Sequence, residues 1–231
     1  MRIATGVIIG CVCCIALARS ESAAVSLLLS GTFHRNEVQA RTGERWYGLF
    51  HVPSGFTWRP VTITTRRVND PVVDEDGEKT GVGVFVKGAS PVVLIKGLNG
   101  LEAKKVRGVL DRPEGLDLPR SEALELSMPE ERVYRLRVAD RRVSDGAPQK
   151  TSRLVLEAGS QKQVLYEWPT GLLDQHCELI WAGDLDGDGK LDLFMALSHH
   201  YNVVEYTLFL SSKRSGSNLV HRVAVFETKG C

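Results

Sequence analysis

Short stretches of alternating apolar and polar residues recur from residue 26 onward and predict a mainly β protein. In residues 133–138, Tyr134, Leu136 and Val138 alternate with two arginines, which places the three apolar side chains on one face of a strand. Turns rich in Gly and Pro separate such stretches, as is typical of an antiparallel sandwich or a barrel-like sheet. The strands predicted in this way are residues 46–52, 56–68, 83–87, 92–96, 133–138, 154–157, 164–168, 178–181, 191–197, 205–211 and 219–229.

Proline and glycine modify this pattern at two places. Pro60 predicts that the strand over residues 56–68 starts late or lies at a sheet edge, because proline cannot donate to a β-ladder. Only residues 101–110 and 121–126 are helix candidates, and Gly108 breaks the first. No segment repeats with a period of about 20 to 50 residues, so the sequence does not predict a complete propeller.

The N-terminus has the pattern of a secretory signal peptide, which we assign to residues 1–24. Arg2 gives a positive start, residues 3–17 carry no charge, and small residues at 16 and 18 suit a cleavage site. A second cut after Ala24 is an alternative. The apolar run is shorter than the roughly 20 residues that a membrane-spanning helix needs. We therefore expect a periplasmic or secreted protein with no integral membrane segment after signal removal.

The sequence Ile8-Ile9-Gly10-Cys11 leaves a second route of export open, because it resembles a bacterial lipobox. Lipidation of Cys11 would anchor the mature protein to a membrane. Only ten residues precede Cys11, which makes the apolar run short and favours simple export.

Composition gives a broad division of the mature chain and excludes one class of partner. The 231 residues suffice for one sizeable domain or two small ones, and we divide them into a β-rich domain, 25–170, and a C-terminal β module, 171–231, which contains an aspartate-rich loop over residues 184–192. The 29 Lys and Arg against 28 Asp and Glu give a net charge of +1. Because no basic excess or stripe is present, we expect no nucleic-acid partner.

The cysteines agree with export. Three of the five, at positions 11, 13 and 14, lie in the signal segment, so its removal leaves Cys177 and Cys231. An even number of cysteines in an oxidising compartment favours a disulfide between them, with two free buried thiols as the alternative. Closing a loop of about 55 residues would stabilise the fold by about 4 kcal/mol.

The most specific motif is the loop over residues 184–192, which reads Asp-Leu-Asp-Gly-Asp-Gly-Lys-Leu-Asp. Four carboxylates in so short a loop repel one another unless a cation lies between them. Ca²⁺ takes about 6 to 8 oxygen ligands, and Gly189 permits the sharp turn that brings neighbouring ligands to one point. The predicted ligands are the carboxylates of Asp184, Asp186, Asp188 and Asp192 and the backbone carbonyl of Lys190.

The loop differs from an EF-hand. Met195 stands where the EF-hand needs a bidentate Glu, and residues 178–181 and 191–197 on either side predict strands rather than helices. The ion would therefore lie at a β-hairpin, with water or a backbone oxygen completing its shell. Calcium is favoured over magnesium or manganese because the loop is flexible and rich in carboxylates.

Residues 182–193 resemble an FG-GAP-type repeat, the calcium-loop element of integrin-like β-propeller blades. The resemblance covers this short segment of the 231 residues and implies that the four aspartates coordinate calcium. The family presents several repeats, whereas this chain has a single copy, so the resemblance implies one calcium hairpin and no propeller. The whole chain is also similar to exported bacterial proteins that end in such a loop and a terminal Gly-Cys.

Other candidate sites have a simpler structural interpretation. His199-His200 could bind zinc or act as a base, but the sequence offers no third ligand at metal spacing, which favours a polar turn. Residues 69–77 form a second acidic cluster that either binds a cation or makes a turn, and its Pro and Asp-Gly favour the turn. His34 and His51 have no partner that the sequence identifies. The four Trp residues are expected in the core rather than on a sugar-binding platform.

Two function hypotheses follow. The first is a non-enzymatic exported protein in which calcium rigidifies a hairpin for binding an unknown protein or envelope partner. The second is a secreted hydrolase with a purely structural calcium. The sequence has no GxSxG, HExxH or phosphate-binding glycine loop, so it assigns no catalytic residue. A pocket that combines His34, His199 or His200 with acidic neighbours would favour the hydrolase.

Overall fold

The computed structural model describes residues 24–98, 100–110, 115–118, 122–129, 132–142, 150–168 and 176–230. These residues form strands and turns without any helix, which confirms the predicted mainly β class. The described part of the chain accordingly offers no long apolar helix that could cross a membrane. The predicted signal peptide, including Cys11, lies outside the described residues except for Ala24.

Sixteen strands can be numbered in chain order within these ranges. They are β1 (Ser26–Leu28), β2 (Gly31–Phe33), β3 (Arg45–Val52), β4 (Gly55–Val68), β5 (Gly81–Val86), β6 (Val93–Lys96), β7 (Lys104–Gly108), β8 (Leu116–Asp117), β9 (Leu124–Ser127), β10 (Val133–Arg142), β11 (Lys150–Ala158), β12 (Gln161–Glu167), β13 (His176–Asp184), β14 (Asp192–His200), β15 (Val203–Leu210) and β16 (His221–Lys229).

Two antiparallel sheets contain these strands. The large sheet has twelve strands and follows the order β1-β6-β3-β4-β7-β13-β14-β15-β16, with β2 and β5 attached through β4 and with β8 beside β13. Its two ends approach each other, since β1 contacts β16, and the sheet is a nearly closed barrel. The small sheet has the order β12-β11-β10-β9.

The C-terminal strands β13–β16 continue the large sheet from the N-terminal strands. The connection is made by β7, which pairs with β4 through Phe56–Val106 and with β13 through Gly183–Gly108. The boundary that we predicted between residues 170 and 171 lies in 169–175, outside the described residues.

The strand β14 lies between two hydrophobic cores. This position explains why its sequence is an almost continuous run of apolar residues. Phe194 packs into the first core, inside the barrel, with side chains of β3, β4 and β6. Leu193 and Met195 point the other way and pack into the second core with Leu136 and Leu154 of the small sheet. A strand buried on both faces has no exposed side for polar residues.

The two helix candidates were wrong. Residues 104–108 form β7 and residues 124–127 form β9, in each case with one buried side chain, Val106 or Leu126, flanked by more exposed neighbours. Pairing with β4 and β13, and with β10, outweighs the weak helical pattern, because short segments gain more from tertiary contacts than from intrinsic propensity.

Pro60 does not delay β4, which runs without interruption from Gly55 to Val68. On one side of β4, Tyr47 of β3 is the partner of Pro60. On the other side, β7 pairs with residues 56–58 and β5 with residues 63–68, so Pro60 falls in the gap between the two partners. No ladder bond is lost there, which is why proline is tolerated inside a strand.

The burial of β14 between the two cores predicts a large loss of stability when one of its side chains is truncated. Leu193→Ala should lower the free energy of unfolding by about 2–5 kcal/mol, because Leu193 is completely buried and the deletion leaves a cavity. Urea denaturation measures the change. Val164→Ala is the control, since Val164 is 43% exposed and its truncation should change the free energy of unfolding little. Equal effects of the two substitutions would contradict the assignment of this core.

Candidate functional site

The connection between β13 and β14 is held in place by both cores. Leu185 and Leu191 lie near the two ends of the acidic loop and are completely buried, Leu185 in the first core and Leu191 in the second. The Trp58 indole also donates a buried hydrogen bond of 3.1 Å to the Leu185 carbonyl. The polar part of the loop is therefore short and anchored at both ends.

Two glycines set the curvature of the loop. Gly187 and Gly189 have φ of 90° and 78°, in the left-handed region that other residues rarely adopt. The Asp184 carboxylate accepts hydrogen bonds from both of their N–H groups, at 2.8 and 3.1 Å. Asp188 accepts in the same way from the Lys190 N–H at 2.9 Å. The loop thus curls around its own carboxylates.

The loop brings the carboxylates of Asp184, Asp186 and Asp188 together. One oxygen of each lies within 4.8 Å of the others, and all three side chains are half-buried. Within the described ranges, this is the only group of three or more His, Cys, Asp or Glu side chains that could hold a metal ion. The structure thus agrees with a metal-binding loop, and it leaves the identity of the ion to be tested.

Asp192 lies behind this group and is completely buried. Its carboxylate accepts hydrogen bonds from the Leu185 N–H and the Ser211 N–H, both at 2.8 Å, and from the Ser211 hydroxyl at 3.0 Å. Burial, followed by the nearby Asp186 charge, raises the pKa of Asp192 to about 8, and the hydrogen bonds act in the opposite direction. Coordination of a metal by Asp192 and by the Lys190 carbonyl stays a prediction.

Four residues outside the acidic motif contact the loop, and no sequence pattern indicates them. Ser211 donates to Asp188 as well as to Asp192, and Ser212 donates to Asp186. The Lys104 ammonium donates to the Asp186 carbonyl at 3.1 Å, and Trp58 holds Leu185. These residues come from β4, β7 and the end of β15. Strand order brings them close to the acidic loop, so no local sequence motif could predict their position.

The predicted disulfide joins Cys177 to a residue outside the described part of the chain, Cys231. Cys177 is half-buried and forms no disulfide with another described residue. Burial raises the pKa of the Cys177 thiol to about 12. The pairing stays a prediction.

The two histidines at 199 and 200 do not converge on one point. His199 Nδ1 lies 3.2 Å from Glu205, whereas His200 Nδ1 lies 2.6 Å from the Asn202 side-chain oxygen. Residues 201–202 form the turn between β14 and β15, in agreement with the polar-turn interpretation. Neither histidine belongs to the metal-binding group found among the described residues.

The second acidic cluster forms a hydrogen-bonded turn. Asp74 accepts from the Asp70 N–H at 2.7 Å and from the Thr80 N–H at 2.8 Å. Asp70 is only 3% exposed and accepts a hydrogen bond from His34 Nδ1, a partner that the sequence could not identify. The hydrogen bond to Asp70 raises the pKa of His34 despite the opposing effect of burial.

His34 also lines a cleft of about 720 Å³ between β1, β16 and the connection from β2 to β3. Glu37, Glu44 and Glu227 line the same cleft. The structure therefore contains a pocket that combines a histidine with acidic neighbours, as the hydrolase hypothesis requires. The four tryptophans are all buried, as expected for core residues.

Compared with protein-family models, curated proteins and solved structures, the chain matches none. The likeness of residues 182–193 to an FG-GAP-type repeat therefore rests on the loop sequence and stays a prediction.

The pairing of His34 with Asp70 predicts a pH-dependent stability. Because the folded-state pKa of His34 is raised, its contribution is fully present below the unfolded value of about 6.5 and is lost as pH rises through the folded value. The difference in melting temperature between the wild type and His34→Gln should thus shrink from about pH 6 to pH 9. His221→Gln, at an exposed strand end, is the control. A difference that grows with pH would contradict the pairing.

Proposed function

We propose that the chain is an exported calcium-binding β protein, acting as a non-enzymatic binding or structural module. The observation that carries the proposal is the convergence of Asp184, Asp186 and Asp188 in a loop that two hydrophobic cores hold in place. Export is inferred from residues 1–24, and the FG-GAP-type likeness of the loop supports calcium as its ligand.

Calcium is the ion that this donor set suits best. The ligands are hard oxygens, the three side chains are half-exposed so that waters can complete the shell, and the loop is held by hydrogen bonds rather than by a rigid cage. Magnesium demands near-octahedral geometry and retains its waters, which a curled loop of carboxylates serves less well.

The proposed work of the ion is to brace the hairpin of β13 and β14. In its absence, Asp184, Asp186 and Asp188 repel one another, and their partial compensation comes from backbone N–H groups, Ser211 and Ser212. A divalent cation replaces this repulsion with attraction. Since β14 packs into both cores, ordering of the loop would stiffen the sheet that a protein or envelope partner meets.

A predicted disulfide between Cys177 and Cys231 would brace the same region. Cys177 lies on β13, the strand that leads into the acidic loop. The metal and the disulfide would then fix opposite ends of one hairpin strand in a protein that functions outside the cytoplasm.

The calcium proposal predicts a metal-dependent melting temperature. Adding calcium to chelator-treated protein, at a concentration about 100 times Kd, should raise the free energy of unfolding by about 2.7 kcal/mol. For a domain of this size, that corresponds to a rise in melting temperature of roughly 5–10 °C. Asp186→Asn combined with Asp188→Asn should abolish the gain, because two of the converging carboxylates are lost. Differential scanning calorimetry measures both.

Asp76→Asn is the matched control, since Asp76 is exposed, lies in the turn over residues 69–77 and is outside the converging group. It should respond to calcium like the wild type. The proposal fails if calcium leaves the wild type unchanged, or if the double variant gains as much as the control.

A secreted hydrolase with a structural calcium is the second candidate, favoured by one observation. The buried Asp70 carboxylate orients His34 at the edge of a cleft, and a carboxylate-held histidine is suited to accept a proton from a bound water or hydroxyl. His34→Gln would remove the base and Asp70→Asn its orientation.

The hydrolase candidate predicts slow turnover of chromogenic esters or glycosides, with a rate that falls at least about 100-fold in His34→Gln. His200→Gln should leave that rate unchanged, because His200 is absent from the cleft. Equal rates in the wild type and His34→Gln, or no turnover at all, would exclude this candidate.

A further inference from the structure

Ser211, the first residue after β15, lies between the acidic loop and the buried Asp192. It is only 1% exposed. Its hydroxyl oxygen lies 2.9 and 3.0 Å from the two carboxylate oxygens of Asp188 and 3.0 Å from one oxygen of Asp192. The Ser211 N–H donates to that same Asp192 oxygen at 2.8 Å and fixes the serine from the backbone side. The hydroxyl is therefore a firmly placed oxygen among carboxylates.

The contacts of the Ser211 hydroxyl exceed the protons that it can supply. A hydroxyl has one proton and two lone pairs, so it can donate to only one of the three carboxylate oxygens around it at a time. Within the part of the chain that the structure describes, no N–H or O–H group donates to the Ser211 hydroxyl in return. Its lone pairs therefore face negatively charged oxygens in a place largely closed to water, an arrangement that a cation would stabilise.

The neighbouring Ser212 makes the same kind of contact in different surroundings. Its hydroxyl donates to the Asp186 carboxylate, but Ser212 is exposed, so water can satisfy its remaining hydrogen-bonding capacity. Ser211 is closed off from that solution by its burial. Of the two serines, Ser211 is the one whose oxygen lacks a partner for its lone pairs.

The three converging carboxylates leave places open in a calcium shell. Ca²⁺ takes about 6 to 8 oxygens at about 2.3–2.6 Å, so neighbouring ligand oxygens lie roughly 3 Å apart. One oxygen each from Asp184, Asp186 and Asp188 fills only part of such a shell. The separations between the Ser211 hydroxyl and the Asp188 oxygens fit the spacing of neighbouring ligands. The same separations suit a hydrogen bond, and the shortage of protons favours the ion.

An ion can approach the buried hydroxyl from the side of Asp188. The Asp188 side chain keeps 21% of its surface exposed and belongs to the converging group. Because both of its oxygens lie beside the Ser211 hydroxyl, an ion that binds Asp188 comes close to Ser211 without any opening of the core.

We propose that the Ser211 hydroxyl oxygen is a ligand of the ion bound by the acidic loop. The inference rests on the proposed calcium site and adds to it a residue from a different connection. The three aspartates lie between β13 and β14, whereas Ser211 begins the connection from β15 to β16. The ion would then join two neighbouring hairpins instead of bracing one. A neutral hydroxyl completes the shell without adding to the repulsion among the carboxylates.

Terbium luminescence with the full chain tests the assignment. Tb³⁺ substitutes for Ca²⁺ in oxygen sites, and its decay rates in H₂O and D₂O report how many waters it binds. Ser211→Ala should bind calcium about tenfold more weakly in calorimetric titration. Its bound Tb³⁺ should hold about one more water than in the wild type, because a water takes the place of the hydroxyl. A serine that only positions Asp188 would change the affinity and leave the water count unchanged.

Ser211→Cys keeps nearly the size of the wild-type side chain and decides the question if Ser211→Ala does not fold. A thiolate ligand selects soft metals, whereas calcium takes oxygen. This variant should bind Cd²⁺ at least about tenfold more tightly than the wild type does, with a sulfur-to-metal charge-transfer band in the ultraviolet. The wild type supplies the background from its own cysteines.

Ser215→Ala is the matched control, because Ser215 is an exposed serine of the same connection. It should keep the calcium affinity and the water count of the wild type. If the wild type binds neither Ca²⁺ nor Tb³⁺, the proposed calcium site fails and this inference fails with it. If the wild type binds both ions, but Ser211→Ala keeps its water count or folded Ser211→Cys shows no cadmium–sulfur band, the assignment of Ser211 alone is overturned.

Discussion

The buried carboxylate of Asp192 is the interaction on which the C-terminal half of the structure depends. It joins the Leu185 N–H at the start of the acidic loop to Ser211 at the end of β15, and so ties three strands together at one point inside the protein. A carboxylate this deeply buried is costly to ionise, as its raised pKa indicates. Three hydrogen bonds offset part of the cost, and a cation beside Asp186 would remove the repulsion that adds to it.

The same geometry explains why a small polar loop can affect a large sheet. Leu185 and Leu191 insert into different cores, so a movement of either end of the loop would disturb one of them. Beside those anchors, the half-buried carboxylates of Asp184, Asp186 and Asp188 lie close to one another. The fold therefore places three mutually repelling carboxylates next to β14, whose residues 192–198 are all buried, and this position would make a stabilising cation effective.

Much of the fold could be predicted from the sequence. The alternation of apolar and polar residues indicates which side of a strand is buried, and Gly- and Pro-rich turns indicate where strands end. Tyr134, Leu136 and Val138 face one core as their spacing predicted. The errors came where partners are distant in sequence: β7 is a strand only because β4 and β13 flank it. For the same reason the acidic loop was visible as a motif, whereas Ser211, Lys104 and the pair of His34 with Asp70 were not. Residue spacing reveals a site that a single segment forms. Site residues that come from different strands become visible only once the strand order is known.

If residues 184–192 form one calcium site, direct titration should detect it. Calorimetric titration of chelator-treated protein with Ca²⁺, followed by ¹H–¹⁵N spectra, should give one ion per chain and shifts centred on the N–H groups of Gly187 and Gly189, which face the Asp184 carboxylate. No heat of binding, or shifts confined to a region away from the loop, would show that residues 184–192 are not a calcium site.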